Sequence, residues 1–473
     1  MHFRSRSAAG PAAAGAIIAL AVVTAAPAWG GTDAFVLSSD FSTSYYSKMN
    51  LPSPYTHVDN IASTCGDAVV RAREGRYYVL GRSSCNYVQV VDGNNYATLN
   101  QYSTGAGTNP QDIVVCSPIK AYVSLYETNF LTILNPQTGA ALGTIDLSPF
   151  ADADGLPEAS GMARVGDRVF VALQRLDRPS GFSAANPSLV VVIDATTDQV
   201  VDADAVTPGV QGITLTGRNP FTDISLDPVR QKLVVGEVGN FGVLDGGVEY
   251  VNPVTLQAEG FLVTENALGG DLNAVKLWTD CTGYAIVNDA SFRTKLVRFN
   301  ACTGQSLGTC LQSAGFDLSD IEIDYARGQV LVADRDFITP GVRVLQAGTC
   351  TQLTASPINF GLPPYDLALA AATPASTPAP SSPALRITNA PDPFNPTTVL
   401  HLKSGLAGLA RVDIVDAGGR RRRSLWSGTL PAGGRELLWD GRDDAGRALP
   451  SGAYWARVRQ AGAMRTDRMT LVR

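Results

Sequence analysis

Short runs of alternating apolar and polar residues recur along most of the chain, with turn-forming residues between them. Successive side chains of a β-strand point to opposite faces, so such alternation is typical of strands with one buried face. After Asp112, further strand-like runs follow at 121–126, 131–135 and 142–147, and the same order recurs downstream. Long helical periodicities are missing after the first 30 residues. The pattern therefore predicts an all-β protein.

One short pattern, an acidic residue followed by apolar residues two apart, repeats along the first three quarters of the chain. Most copies are separated by about 45 to 50 residues, the length of a four-stranded propeller blade. The five clear copies contain Asp67, Asp112, Asp223, Asp320 and Asp366, and two degenerate copies lie at 159–162 and 272–275. Seven copies predict a seven-bladed β-propeller over residues 31–371.

The last copy of the repeat lacks the strands that should complete its blade. The chain changes composition soon after Asp366, whereas strand-like runs at 34–40 and 44–51 precede the first copy. We therefore expect the seventh blade to combine strands from both ends of the propeller. Such closure removes the exposed sheet edge that would favour aggregation.

A change of composition marks a second domain. Residues 372–384 are rich in Pro, Ser, Thr and Ala, which favours a semi-extended linker without a core. Residues 385–473 contain six short strand-like runs separated by Asp- and Gly-containing turns. About 90 residues of this kind predict an immunoglobulin-like β-sandwich.

The first 30 residues have the pattern of a signal peptide. Arg4 and Arg6 precede an apolar run at 11–25, and Ala26-Pro27-Ala28 provides a small-x-small cleavage sequence. A retained membrane anchor is the alternative interpretation of this segment. No later run is long and apolar enough to span a bilayer, so we expect a secreted or cell-surface protein without a membrane span in the mature chain.

Seven cysteines, all in the propeller region, agree with an oxidising compartment. Turns at the same edge of one blade should carry Cys281 and Cys302, so we expect them to pair. The same argument predicts a disulfide between Cys65 and Cys85 in the first blade. The spacing leaves three cysteines without an assigned partner: Cys116, Cys310 and Cys350.

The blade sequences resemble the YVTN/NHL-like propeller families. The resemblance is carried by Ala121-Tyr122-Val123-Ser124-Leu125, by residues 134–139 (LNPQTG) and by residues 192–196 (VIDAT). It covers about residues 33 to 371 and implies the propeller fold. Because propellers support binding, scaffolding and several kinds of enzyme, the resemblance indicates no single function.

The C-terminal region resembles two families of secreted or surface modules. The motifs are 389–398 (NAPDPFNPTT), 430–433 (LPAG), 439–446 (WDGRDDAG), 450–454 (PSGAY) and 468–473 (RMTLVR). They are similar to the immunoglobulin-like domain of flagellar hook-capping proteins and to the C-terminal sorting domains of type IX secretion cargo. The resemblance implies either recognition by secretion machinery or a plain attachment module, and the sequence leaves both open.

The repeated acids are the first candidate site. In a propeller, Asp67, Asp112, Asp223, Asp320 and Asp366 should surround the central channel, where oxygen ligands suit calcium or magnesium. Lactonase-like propellers hold a central metal with acids and amides. The alternative is that each Asp accepts hydrogen bonds from nearby backbone in a repeated structural role.

A second candidate lies in one loop. Asp152, Asp154 and Glu158 have the carboxylate spacing of a calcium-binding loop, although the full twelve-residue EF-hand pattern is missing. A solvated loop with turn-forming Asp and Gly is the alternative. The sequence thus assigns no cofactor with certainty, and calcium is the ion that both candidate sites would suit.

The sequence favours a secreted or cell-surface binding or scaffold protein rather than an enzyme. The expected ligand is an extracellular or cell-surface protein or glycan, and the C-terminal domain would engage the secretion machinery. The net charge of −6 argues against nucleic acid as a partner. The alternative is a secreted, metal-dependent, lactonase-like hydrolase, which would need the repeated acids to converge on an open pocket.

Overall fold

A computed structural model describes residues 32–227, 229–279, 281–369, 386–404, 408–416, 420–430, 434–460 and 463–473. The described residues form two compact units, one before residue 370 and one from residue 386 onward. The predicted signal peptide and linker lie outside the described residues. In the described ranges, no helix has both the length and the apolar character needed to cross a membrane.

The first unit is built almost entirely from short antiparallel strands. In chain order, these are β1 (Asp33–Ser39), β2 (Ser44–Asn50), β3 (His57–Ser63), β4 (Ala68–Arg73), β5 (Arg76–Gly81), β6 (Tyr87–Asp92), β7 (Thr98–Ser103), β8 (Pro110–Ser117), β9 (Lys120–Leu125), β10 (Phe130–Leu134), β11 (Ala141–Asp146), β12 (Ala159–Val165), β13 (Arg168–Leu173), β14 (Leu189–Asp194), β15 (Gln199–Val201), β16 (Ile213–Thr214), β17 (Ser225–Asp227), β18 (Lys232–Glu237), β19 (Gly247–Asn252), β20 (Gln257–Thr264), β21 (Asp271–Leu277), β22 (Thr282–Asn288), β23 (Thr294–Asn300), β24 (Gln305–Gln312), β25 (Leu318–Asp324), β26 (Gln329–Asp334), β27 (Gly341–Gln346) and β28 (Pro364–Leu369). Short helical turns occur at Ser148–Phe150, Arg178–Ser180 and Glu265–Leu268.

Within the described residues, these strands form seven sheets in which each strand pairs with the next. The sheets are β4–β7, β8–β11, β12–β15 with β16 added, β17–β20, β21–β24 and β25–β27, followed by a seventh in the order β28-β1-β2-β3. We number these blades 1 to 7 in that order. The predicted seven-bladed β-propeller is confirmed.

Blade 7 joins the two ends of the propeller. The innermost strand β28 pairs antiparallel with β1, so that Val36 lies opposite Leu367 and Phe35 lies opposite Ala368. The outer strands β2 and β3 also come from the N-terminal side. The prediction that strands from both ends complete this blade therefore agrees with the topology.

Apolar side chains fill the spaces between neighbouring blades. The second strand of a blade is buried on both faces, as in β5, β9 and β13, because adjacent blades cover both sides of it. One such cluster combines Val114 and Tyr122 of blade 2 with Met162 and Val171 of blade 3. Each pair of neighbouring blades thus buries apolar side chains that a single sheet would leave exposed.

The strand order defines two faces of the propeller. The upper face carries the loops between the second and third strands of each blade and the loops that lead into each innermost strand. The lower face carries the turns between the first and second strands and between the third and fourth strands. A disulfide joins Cys65 to Cys85 in upper-face loops, and another joins Cys281 to Cys302 in lower-face turns.

The cysteines without a predicted partner separate into a pair and a free thiol. Cys310 of β24 is bonded to Cys350. Cys116, at the end of β8, is free and half-buried. The sequence spacing gave no signal for the Cys310–Cys350 bond because it joins the outer strand of blade 5 to a loop of blade 6.

The second unit contains two antiparallel sheets. Its strands are β29 (Arg386–Ala390), β30 (Thr398–Lys403), β31 (Gly408–Asp416), β32 (Arg421–Leu430), β33 (Arg435–Trp439), β34 (Gly452–Gln460) and β35 (Ala463–Leu471). One sheet has the order β29-β30-β33 and the other β32-β31-β34-β35. The core includes Trp439, whose ring contacts Phe394 and Tyr454. This arrangement is an immunoglobulin-like sandwich.

Candidate ligand-binding face and central channel

Three of the repeated acids connect neighbouring blades around the channel. Asp112 of blade 2 accepts a hydrogen bond from the Met162 backbone N–H of blade 3, at 2.8 Å. Asp320 of blade 6 accepts one from Leu367 of blade 7, at 2.9 Å. Asp366 of blade 7 accepts one from Val70 of blade 1, at 2.7 Å. These contacts match the structural role that the sequence left open as an alternative.

Asp67 lies outside this ring. The Val70 N–H donates to the acid of the preceding blade, as the Leu367 N–H does in blade 7. Val69, the residue before Val70, is therefore the structural equivalent of Asp366, and Asp67 is not. Asp67 lies two residues earlier and accepts hydrogen bonds from Arg82 and from Ser83. An offset of two residues keeps the same strand face, so the alternation of the sequence could not reveal it.

A buried arginine occupies the centre of the acidic ring. Arg71 of β4 donates from Nε to Asp112 at 3.1 Å and from Nη2 to Asp223 at 2.5 Å. Its Nη1 donates to the Val70 carbonyl and lies 3.6 Å from Asp366. Burial opposes the charge of Arg71, but these three carboxylates outweigh it and raise the arginine pKa above its usual value.

The other side of the channel carries a second ion pair. The Lys276 ammonium lies 3.0 Å from Glu322. Burial, together with the nearby Asp366 and Glu322 carboxylates, raises the pKa of Asp320 well above its usual value. The surroundings of Asp320 therefore disfavour its charged form.

The acids of the channel thus have partners among the protein's own cations and backbone N–H groups. In the part of the chain that the structure describes, no three His, Cys, Asp or Glu side chains are grouped to hold a metal ion. Asp112 and Asp366 already bond to backbone N–H groups and face Arg71. These contacts give no support to the lactonase-like hydrolase, which needed three of the acids to converge on an open pocket.

The carboxylates of the predicted calcium loop also have partners. Arg178 donates to Glu158 at 2.6 Å, and its Nε lies 3.5 Å from Asp154. Asp152 accepts from the Asn186 amide at 2.6 Å. Burial raises the pKa of Glu158 to about 7, although Arg178 opposes the shift. The loop is thus held together by an arginine and an asparagine.

Arg71, Lys276 and the carboxylates around them form a charged plug in the channel. Two cavities lie along the propeller axis, one on each side of this plug. The lower cavity is about 580 Å³ and the upper about 650 Å³. Arg71, Asp223 and Lys276 contribute to the walls of both. The plug therefore forms the floor of the upper cavity, whose walls include aromatic and amide side chains.

Exposed phenylalanines are concentrated in the upper-face loops, and Phe221 and Phe316 line the upper cavity. Among the described residues, every phenylalanine of the propeller that is strongly exposed lies in an upper-face loop: Phe41, Phe182, Phe221, Phe241, Phe292, Phe316 and Phe337. Two pairs of rings contact each other, Phe221 with Phe241 edge to face and Phe292 with Phe316 at a tilt. The exposed large residues of the lower-face turns are aliphatic, namely Ile119, Val229 and Val254. The exposed phenylalanines are thus confined to one face, which also exposes Val243, Leu244 and Ile338.

Arg335 gives this aromatic face a positive charge. Its guanidinium lies 4.7 Å from the ring centre of Phe41 and 5.3 Å from that of Tyr365, and it lines the upper cavity. Its Nε is buried without a hydrogen-bond partner in the described structure. Burial lowers its pKa, but a guanidinium stays protonated at neutral pH. Arg335 is therefore suited to an anionic group of a ligand.

These features had only weak signals in the sequence. Phe182, Phe292 and Phe316 directly follow Gly or Ser in turn-rich segments, where an apolar ring has no core to enter. Arg71 interrupts an apolar strand, but its partners lie 41 and 152 residues away. The positions of these residues in the sequence therefore do not show that they lie together in the fold.

Residues 397–463 match the family model of the FlgD Ig-like domain. The match lies within the second unit and agrees with its two-sheet topology. It confirms the predicted resemblance to hook-capping proteins for this part of the chain. No curated protein matches the chain.

The chain is similar to several solved structures at low sequence identity. One is PorZ, a surface component of the type-IX secretion system of Porphyromonas gingivalis (14% identity, 92% of this chain and 64% of that chain, TM-score 0.42). Another is a functionally unknown protein of Desulfotomaculum acetoxidans (12%, 72% and 99%, 0.48). A third is the dihydro-heme d1 dehydrogenase NirN (12%, 72% and 75%, 0.44). These structures differ too much from the chain to indicate its function.

Proposed function

We propose that the chain is an exported, cell-surface or secreted binding protein whose propeller holds a protein partner at its upper face. The observation that carries the proposal is the concentration of exposed phenylalanines in the upper-face loops, two of which, Phe221 and Phe316, line the upper cavity. Protein interfaces are enriched in aromatic residues and arginine, and their strongest contacts are of these types.

The position of Arg335 indicates which chemical group of the partner would bind there. Because its charge is held between two rings with an unpartnered Nε, an acidic side chain or terminal carboxylate of the partner would complete it. The phenylalanines would cover apolar side chains around that contact and exclude water. Export agrees with the three disulfides of the propeller.

A photo-crosslinking residue tests this face in the native host. We expect p-benzoylphenylalanine at Phe337 or Phe292 to give one discrete crosslinked product, because both side chains project from upper-face loops. The matched position is Val254, which is 81% exposed but lies in a lower-face turn. Products are compared by gel mobility and mass spectrometry.

Arg335→Ala provides the second arm of this experiment. We expect it to reduce the Phe337 crosslink about 10-fold or more, since a charged contact shielded from water contributes well over 1 kcal/mol. Its melting temperature (Tm) is measured in parallel to show that the propeller is intact. Equal crosslinking from Val254, or no product from either upper-face position, would contradict the proposal.

The C-terminal unit is proposed to direct or attach the exported chain. Support comes from the FlgD Ig-like match together with the terminal motif, whose residues lie at the end of β35. The sandwich has its own core around Trp439, so its removal leaves the propeller core intact.

Deletion of residues 385–473 distinguishes sorting from attachment. If the unit sorts the protein, we expect the truncated chain to accumulate in the periplasm while the full chain reaches the surface or medium. If it only attaches the protein, the truncated chain should be released into the medium. Fractionation with immunoblotting measures both, and a truncated chain distributed as the full chain would overturn both roles.

A further inference from the structure

Positive charge is concentrated in the second unit. Residues 386–473 contain 14 arginines and one lysine but only eight aspartates and glutamates, whereas the whole chain has a net charge of −6. The chain before this unit is therefore strongly acidic. Arginine far outnumbers lysine here, and its planar guanidinium group binds a phosphate or carboxylate through two parallel hydrogen bonds. Such a composition suits contact with anionic groups.

Five of these arginines share the outer face of the sheet β32-β31-β34-β35. The inner face packs into the core through Val412, Ile414, Ala456, Val458 and Met469. Because strand side chains alternate, the residues between them face outward. The strand registers arrange them in three rows: Arg421, Val415, Trp455 and Arg468; Ser424, Asp413, Arg457 and Thr466; and Ser427, Arg411 and Arg459. We call this surface the arginine face.

The arginine face has little negative charge of its own. Asp413 is the one acid in these rows, and it accepts from Nε of Arg411 at 3.0 Å. Within the described chain, the other four arginines of the face form no ion pair. Nε of Arg457 is buried without a hydrogen-bond partner. Arg411 and Arg459 are direct cross-strand neighbours, and like charges in this relation are destabilising. Folding alone therefore does not account for the arrangement.

We propose that the arginine face binds the phosphate groups of an anionic lipid surface. Its uncompensated charge is complementary to such a surface, and the outer face of a sheet offers contacts over an area rather than a single pocket. Trp455 lies half-buried within the rows, and tryptophan is a residue that membrane interfaces favour. The inference rests on the attachment role proposed for the second unit and specifies the surface to which the unit attaches.

The test uses the full mature chain and vesicles of phosphatidylcholine, with or without about one third phosphatidylglycerol. We expect binding to the anionic vesicles to be at least about 10-fold tighter than to the neutral ones, because arginines near an anionic surface add to the affinity. About 0.5 M sodium chloride should largely abolish the difference, since salt screens exposed charges. Co-sedimentation over a range of lipid concentrations measures the binding.

Combining Arg459→Gln with Arg468→Gln removes two exposed charges of the face and leaves the core unchanged. We expect about 25-fold weaker binding to the anionic vesicles, since each arginine near such a surface contributes roughly 5-fold. The matched control combines Arg386→Gln with Lys403→Gln. Both cations are exposed cross-strand neighbours on the other sheet, on the side away from the core. This control removes the same charge and should bind within about 3-fold of the wild type.

Three results would overturn the proposal. Equal weakening by the two double variants would reflect the net charge of the unit and not the arginine face. Equal binding of the wild type to neutral and anionic vesicles, or to neither, would exclude recognition of lipid phosphate. Sedimentation velocity of the chain alone gives the third result. Self-association that salt and the Arg459 and Arg468 double variant abolish would assign the face to an acidic protein surface, such as the propeller of a second copy. Tm of each variant shows that both units are folded.

Fractionation of the native host separates this inference from the attachment role itself. If the chain without residues 385–473 is released into the medium and the Arg459 and Arg468 double variant is released with it, both are supported. If the truncated chain is released but the double variant stays at the surface, attachment holds and the inference about the arginine face is wrong. A truncated chain distributed as the full chain contradicts attachment, whereas vesicle binding still decides whether the face binds lipid phosphate.

Discussion

Arg71→Met is expected to destabilise the propeller by about 3–5 kcal/mol at pH 7.5, because it leaves buried carboxylates without their cation. Methionine keeps the length and apolar character of the side-chain stem, so the loss reflects the charge and its hydrogen bonds. Asp112 is the most affected, since it is 1% exposed and contacts Arg71 directly. Denaturant unfolding of the wild type and the variant measures the difference.

The effect should depend on pH in a defined direction. Burial already raises the pKa of Asp112 in the wild type, and removing Arg71 raises it further. When folding raises the pKa of a carboxyl, the folded protein loses stability as the pH rises from the pKa of the unfolded state to that of the folded state. The deficit of Arg71→Met should therefore shrink as the pH falls from 7.5 towards 5. A deficit that is constant over this range would contradict the electrostatic explanation.

Two further variants separate this cause from general damage. Asp112→Asn in the Arg71→Met background should restore part of the lost stability, because the amide oxygen can still accept from Met162. Arg293→Met removes a partly exposed arginine paired with Asp289 and should cost less than 1 kcal/mol. Similar losses for Arg71→Met and Arg293→Met would be inconsistent with a buried charge centre.

The contacts of Arg71 also show which features could not be predicted from the sequence. The spacing of the repeats predicted seven blades because each blade uses a similar number of residues for four strands. Asp112, Asp320 and Asp366 share one structural position, and Asp223 joins Asp112 and Asp366 at Arg71. Asp67 lies two residues before the equivalent position, an offset that preserves the apolar alternation. The role of these acids as metal ligands stays a prediction. The pairing with Arg71 depends on the closed circle of blades, which no local pattern encodes.

Two buried glutamates of blade 4, Glu237 and Glu249, escaped prediction for a related reason. Glu237 follows an apolar run as the last residue of β18, where a polar residue is typical of a strand end. Glu249 alternates with Val248 and Tyr250 and so has the pattern of an exposed position, but a neighbouring blade covers that face. Only the contacts between elements show that both are buried.

Phe35→Ala is expected to destabilise the propeller by about 3–5 kcal/mol, because it opens a cavity where the two ends of the propeller meet. Phe35 is fully buried in β1, between β28 and β2. Its ring lies 4.8 Å from Tyr46 in blade 7 and 4.7 Å from Tyr77 in blade 1, measured between ring centres. The side chain therefore packs the closing blade against its neighbour.

Polar contacts at the same junction prevent the cavity from collapsing. Asp33, near Phe35 on β1, accepts hydrogen bonds from the Tyr77 and Tyr96 hydroxyls and pairs with Lys48 at 2.9 Å. Tyr46 donates to the Tyr96 carbonyl at 3.0 Å. Since these bonds fix the tyrosines, little movement is available to fill the space left by the ring.

Phe35→Leu and Phe292→Ala make the comparison quantitative. The leucine variant should lose clearly less stability than the alanine variant, because it fills more of the cavity. Phe292→Ala removes the same ring from an exposed upper-face loop and should change stability by less than about 0.5 kcal/mol. Denaturant unfolding and limited proteolysis of residues 32–50 report on the junction. Equal stability of the Phe35 and Phe292 alanine variants would show that blade 7 is not held by this packing, and that β1 contributes backbone pairing alone.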